Sequence, residues 1–266
     1  SPADKLEEPA KVVDQLEKGS AYGKVPQPAG HEKLEWNTYR RDNARSGSTP
    51  ETLPRKLKAL WNTTVTAQEP TPHGRAVTPP VVAEGKVFVA AVDDQQVTAL
   101  DAKTGEVRWR HLVGGRVEAA PTIYQGLCLF GANDGWAYCL RASDGELVWR
   151  FRTSPEERRL VAYSRVESPW PVPGVLVNGG VAYFAAGRHG KTEDGIFVYA
   201  MNPFTGKVIW KNRVDNSKLE TWYDNHVNNL LVGNKEAVFM DQLMFDLKTG
   251  EKSRTWYKKR SFGAKR

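Results

Sequence analysis

Ala99-Leu100-Asp101-Ala102-Lys103-Thr104-Gly105-Glu106-Val107-Arg108-Trp109 reduces to Ala-x-Asp-x-x-Thr-Gly-x-x-x-Trp, and the chain repeats this phrase. It returns as Cys139-x-Arg141-x-x-Asp144-Gly145-x-x-x-Trp149 and as Ala200-x-Asn202-x-x-Thr205-Gly206-x-x-x-Trp210. A decayed copy, Met244-x-Asp246-x-x-Thr249-Gly250, has Arg254 at the tryptophan position. Trp149 follows Trp109 by 40 residues, Trp210 follows Trp149 by 61, and Thr249 follows Thr205 by 44. A repeat of roughly 40–50 residues holding several short strands is the mark of propeller blades.

Local chemistry supports that reading. Asp101 can cap the turn that follows it, and Gly105 supplies a positive φ. Small Ala99 leaves room for the indole of a neighbouring blade, so Trp109, Trp149 and Trp210 are expected as structural cement between sheets. Before each phrase comes a Gly-led strand: Gly85 to Val89, Gly126 to Phe130, Gly180 to Phe184. The spacing predicts an all-β propeller of four-stranded antiparallel blades near 77–112, 118–152, 172–213 and 228–257. A further strand is expected at Leu57–Val65, where Trp61 resembles the closing tryptophan of the later units. That orphan strand implies a sheet completed from elsewhere, because an open β edge is a liability. About four blades are thus expected here, as part of a longer seven- or eight-bladed ring.

The remainder is less patterned. Residues 1–35 are expected to form an N-terminal helix, over 3–17, and a linker. Residues 36–266 are expected to form the propeller, with Trp36–Gly47 packed against it. The chain opens on Ser1-Pro-Ala-Asp rather than Met, which suggests an exported, periplasmic product whose signal peptide has been removed. No apolar run approaches the ~20 residues that cross a bilayer. The net charge is +7, with a basic end from Lys258 to Arg266. No nucleic-acid-binding motif accompanies that end, so nucleic acid is not an expected partner. Cys128 and Cys139 flank the turn at 132–135. A symmetric hairpin would make them cross-strand neighbours, and they are expected as buried thiols rather than as a disulfide.

The repeats resemble those of the PQQ-binding-like propellers, the quinoprotein alcohol dehydrogenase-like family. The similarity covers roughly residues 36–257. That family contains PQQ-dependent dehydrogenases and also non-enzymes of the BamB type, mostly outside the cytoplasm. A dehydrogenase of this kind would imply PQQ and calcium, an indole floor, Arg or Lys at the quinone carboxylates and an adjacent-cysteine disulfide. No Cys-Cys pair is present, and no residues can be assigned to the metal or to catalysis. The five histidines, His73 among them, show no metal-ligand spacing.

The third repeat is longer than the second, with 14 additional residues within 153–174 and 7 within 185–195. By strand alternation both insertions emerge on one face, beside the central channel. Long loops on a rigid scaffold are where binding concentrates. The candidate rim comprises Arg158, Arg159, Tyr163, Arg165, Glu167 and Trp170 from the first insertion, with Arg188 and His189 from the second. Lys191, Glu193 and Asp194 accompany them, and Asp93, Asp94 and Asp134 share the face. Trp170 is expected as a flat stacking surface and the arginines as partners of carboxylate or phosphate. The expected function is a non-catalytic binding or scaffold module of the BamB-like type, with a protein partner and no cofactor. The alternatives are a portion of a PQQ-dependent dehydrogenase and a recognition domain of a larger enzyme.

Overall fold

In the computed structural model, four copies of one unit stand side by side. Residues 15–26, 35–52, 54–67, 76–154, 156, 158–162, 165–216 and 226–254 are described. Strand β1 (Leu16–Lys18) precedes the first blade, which comprises β2 (Val81–Ala83), β3 (Lys86–Ala91), β4 (Gln96–Asp101) and β5 (Val107–Leu112). The second blade comprises β6 (Thr122–Tyr124), β7 (Leu127–Gly131), β8 (Trp136–Arg141) and β9 (Leu147–Arg152). A hairpin of β10 (Leu160–Ala162) and β11 (Arg165–Glu167) follows. The third blade holds β12 (Leu176–Asn178), β13 (Val181–Ala186), β14 (Ile196–Met201) and β15 (Val208–Val214). The fourth holds β16 (Val232–Gly233), β17 (Ala237–Met240), β18 (Leu243–Asp246) and β19 (Lys252–Arg254). Every blade is an antiparallel meander in chain order, and β1 adds to the outer edge of the second as a fifth strand. First strands touch first strands from blade to blade, β2 to β6 to β12 to β16, so these line the axis.

The tryptophans join the sheets as their spacing implies. Trp61 Nε1 donates to the Ala102 carbonyl at 3.1 Å and Trp109 Nε1 to Ala142 at 3.0 Å. Trp149 Nε1 donates to Pro203 at 2.8 Å, and Trp210 Nε1 to Leu247 at 3.0 Å. Each acceptor sits one place after the Asp, Arg or Asn that opens the next blade's turn. The turn is capped by that residue: Asp101 Oδ1 accepts from the backbone N–H of Lys103 and Thr104. Asn202 and Asp246 repeat the arrangement, which explains why Asp and Asn interchange there. In the second blade the cap moves: Arg141 pairs with Asp144 at 2.6 Å, and Asp144 accepts from Glu146 N. The Arg108 guanidinium, then the Thr104 and Lys103 N–H groups, hold the Asp101 carboxyl below the ordinary carboxylate range.

Three differences from the sequence reading emerge. Residues 57–65 form no strand; Trp61 is docked and Thr63 Oγ1 donates to the Gly105 carbonyl, yet there is no ladder on either side. A strand needs a neighbour, and among the described residues none is beside it. The cysteines are free and buried as expected, but the register pairs Cys128 with Leu140 and Leu129 with Cys139. One residue of register sends alternate side chains to opposite faces, and the two thiols lie in different core clusters. Thirdly, Leu16–Lys18 is strand rather than the end of a helix. The rest of the 3–17 helix, His73, Tyr163 and the end from Lys258 to Arg266 lie outside the described residues.

The segment packed against the propeller is a strap across its axis. Trp36 bridges Val82 of the first blade, and the Asn37 carbonyl accepts from Ile123 N of the second. Asn43 donates from Nδ2 to Asn178 Oδ1 of the third blade, and its carbonyl accepts from Gly233 N of the fourth. Arg45 Nε donates to the Leu231 carbonyl, while its Nη1 donates to Thr38 Oγ1 and the Tyr39 carbonyl. One short stretch thus touches the axial strand of all four blades.

A Cβ on Gly145, at φ 77°, would stand 2.7 Å from the Trp109 ring. Gly145→Ala is expected to cost about 2–4 kcal/mol by combining an overpacked contact with a left-handed backbone. Gly179→Ala, at φ 58° in open space, carries only the backbone part, about 1 kcal/mol. Urea unfolding of the two variants measures the difference, and equal losses would count against indole contact as the reason for Gly145.

Candidate functional site

The two insertions converge on one carboxylate. Glu167, the last residue of β11, is buried where the connectors of three blades meet. Its Oε1 accepts from Arg116 Nε at 2.8 Å and Nη2 at 2.6 Å, and from Asn133 Nδ2 at 3.1 Å. Its Oε2 accepts from Arg188 Nη2 at 2.7 Å. Arg116 lies between β5 and β6, Asn133 between β7 and β8, Arg188 between β13 and β14. Burial pushes the Glu167 carboxyl up, but hydrogen bonds from Arg188, Arg116 and Asn133 outweigh it, so the group titrates below its ordinary value. A buried carboxylate is tolerable only when paired and hydrogen-bonded in this way.

Beside it lies a second buried acid. Asp134 accepts from Gly114 N at 3.0 Å, from Trp136 N at 3.1 Å and from the Tyr138 hydroxyl at 2.5 Å. Burial dominates here, and the Asp134 carboxyl is raised despite those donors and the Arg159 charge. Neighbouring Thr153 donates its hydroxyl to the Gly135 carbonyl, and Ser168 Oγ accepts from Trp170 N. This polar layer fixes the base from which the β10–β11 hairpin rises.

The remaining described rim residues are found on the same face, in unequal roles. Arg158 and Arg159 are exposed; Arg158 pairs with Glu193 and lies over the Trp170 ring at 5.3 Å. Arg165 reaches Asp93 of the first blade at 3.0 Å, so the two loops do share a face. His189 Nδ1 accepts from Lys191 N, and its backbone bridges Val227. Glu193 and Asp194 both adopt positive φ, at 51° and 64°, a strained pair of the kind that clusters at tight functional loops.

Trp170 requires correction. It is 1% exposed, lies in the core between the second and third blades, and donates Nε1 to the Glu193 carbonyl at 2.8 Å. The ring holds the two insertions together and offers no open stacking face. Sequence reasoning also missed Arg116 and Asn133, because neither lies in an insertion; only their place on the connecting loops of the same face could have flagged them. What stays open is the hairpin itself. Val161 and Val166, direct cross-strand partners, are 76% and 60% exposed.

A flat anionic quinone with calcium would need a free carboxylate set and an accessible indole. The rim does not fit that group: Glu167 and Asp134 are saturated by protein donors, and Arg158 and the core cover Trp170. Among the described residues, no three His, Cys, Asp or Glu side chains are grouped as a metal site, and no helix is long and apolar enough to cross a membrane.

Residues 55–177 match the family model described as outer membrane protein assembly factor BamB. The chain is 31% identical over 172 residues to the dehydrogenase subunit of a quinone alcohol dehydrogenase from Gluconobacter oxydans, covering 59% of this chain and 21% of that protein. It is 25% identical over 134 residues to BamB of Moranella endobia, covering 50% of this chain and 30% of that protein. The fold matches the quinohemoprotein alcohol dehydrogenase of Comamonas testosteroni with a TM-score of 0.53 at 18% identity, over 80% of this chain and 34% of that one. It matches a europium-containing methanol dehydrogenase with a TM-score of 0.52 at 17% identity, over 68% of this chain and 32% of that one. The resemblance to PQQ-repeat propellers therefore holds, and the chain spans less than a third of the curated relatives named here.

Glu167→Gln removes the charge that Arg116 and Arg188 share and is expected to weaken the hairpin base by about 1–3 kcal/mol. Because the folded Glu167 titrates below its ordinary value, its contribution is complete above that value and is lost as pH falls through the lowered one. The protection of the β10 and β11 amides, taken relative to the intrinsic exchange rate at each pH, should therefore fall in acid in the natural protein. In Glu167→Gln that protection should already be low at neutral pH. An unchanged exchange rate in the variant would remove Glu167 as the anchor.

Proposed function

We propose that this PQQ-repeat propeller is an exported, non-catalytic binding module that holds a protein partner at the rim formed by 153–174 and 185–195. The single observation that carries the reading is the β10–β11 hairpin. It is rooted on the buried Glu167 and displays the Val161–Val166 pair to solvent. An exposed apolar pair standing on a polar base is the composition of an interface centre, and the arginines around it form the rim of one. The match to the BamB family model supports an envelope location and a role among proteins.

The second reading, a portion of a quinoprotein dehydrogenase, has support in the 31% identity to the Gluconobacter oxydans subunit. Under it, PQQ and calcium would be held by residues other than the saturated rim carboxylates.

The two readings separate in the test tube. Val161→Asp combined with Val166→Asp is expected to leave the melting temperature within about 2 °C, since exposed positions contribute little to stability. The same pair should reduce retention of the envelope partner by tenfold or more. A photo-crosslinking side chain at position 161 should give one discrete adduct in an envelope preparation. Quinone-dependent dye reduction on addition of PQQ and Ca²⁺, with no adduct at 161, would overturn the binding module in favour of the dehydrogenase.

A further inference from the structure

The outer edges of the blades are equivalent by repeat but not by surface. In the second blade, β1 lies antiparallel along β9, pairing Leu16 with Phe151, Glu17 with Arg150 and Lys18 with Trp149. The chain continues along the edge: Gly19 N donates to the Val148 carbonyl and Ala21 N to Leu147. Glu17 meets Arg150 at 2.6 Å. The Leu16 side chain reaches the seam between Trp149 and Gly206 and packs against that core cluster. A Cβ on Gly19 would lie 2.6 Å from the Leu147 carbonyl carbon, so that place demands glycine. The covering segment therefore reads apolar, acidic, any, glycine.

Among the described residues, the third blade repeats the edge without the cover. Its Trp210 pairs with Ala200 as Trp149 pairs with Cys139, with the same register shift directly after. Ile209 thus corresponds to Val148, and Lys211 to Arg150. Val148 is 0% exposed beneath the covering segment, whereas Ile209 is 53% exposed, with exposed Val208 beside it. The first blade carries Arg108 at this position, paired with Asp101, and the fourth carries Ser253. Charge or polarity blunts those two edges in the usual manner. β15 ends its sheet, so among the described residues the outward backbone groups of this seven-residue strand have no ladder partner. Lys211 lies over the Phe197 and Tyr199 rings at 4.4 and 5.2 Å, with no carboxylate bridge among the described residues.

We infer that the outer edge of β15 is a strand-addition site for an extended peptide of another polypeptide, apolar-acidic in sequence. An apolar side chain of that peptide fills the seam at Trp210 and Gly250, and its carboxylate pairs with Lys211. The internal precedent sets the direction, antiparallel, and the charge complementarity sets the partner's chemistry. Main-chain bonds supply affinity and alternate side chains supply selectivity in this mode of recognition. The site lies on the perimeter, away from the rim, and does not rest on the rim reading.

A labelled peptide with the sequence of residues 15–24 is the probe, titrated into the intact chain and followed by fluorescence anisotropy. Saturable binding is expected, weakened tenfold or more by Ile209→Lys and by Lys211→Glu and unaffected by Arg110→Glu on the first blade. A probe carrying Leu16→Asp should bind at least tenfold more weakly to the unaltered chain, an arm that needs no variant of the protein. Absence of saturable binding would overturn the proposal. Binding indifferent to both β15 substitutions, which places the probe on β9 by displacing β1, would do the same. Self-association abolished by Ile209→Lys, without peptide binding, would assign the edge to a second copy of the chain instead.

Discussion

Four indole-to-carbonyl hydrogen bonds govern the arrangement of everything else. Each lets a tryptophan, three of them on the last strand of a blade and Trp61 on the segment before the first, report the position of the first residue inside the next unit's turn. A single such bond is worth about 1 kcal/mol, too little to build a wheel. Its importance is geometric: the indole also lies flat against a glycine that has no alternative, so distance and tilt between sheets are set together. Because the contact is repeated, the sheets inherit one angle, and the axis and rim follow from it.

That constraint explains why the rim is where it is. Strands of a meander alternate in direction, so connectors between blades and the loops between second and third strands must surface together. Glu167 exploits the coincidence, drawing donors from one inter-blade connector and two second-to-third loops into one buried knot. The residues that look chemically capable, Glu167, Asp134 and Trp170, are there committed to holding loops. The groups left for recognition are those standing on top of them.

The architecture was legible because Asp101, Gly105 and Trp109 each have a local reason to recur, and the reason survives translation into space. Asn202 for Asp101 preserves the cap; Arg141 with Asp144 preserves it by another route. The site was legible only as a face. Insertion lengths located the loops, and the contacts of Trp170 with Glu193 and of Arg188 with Glu167 bring the two insertions together. Roles within the face depend on burial, which period and composition do not encode. Trp170 looks like any loop tryptophan until the neighbouring blade is in place. The cysteine register failed for a similar reason, since a turn one residue off centre is invisible when the flanking strands are apolar on both faces. The strand expected at 57–65 needed a partner that no local pattern supplies.

The strap formed by residues 35–48 has a temporal consequence. It precedes every blade in the chain yet closes on the axial strand of each, the last nearly two hundred residues downstream. Contacts of such sequence separation form late, because loop closure must be met before they yield anything. On a ribosome, Asn43 and Arg45 emerge long before Gly233 and Leu231 exist. The strap can therefore lock the axis these four blades share only after the fourth has been made.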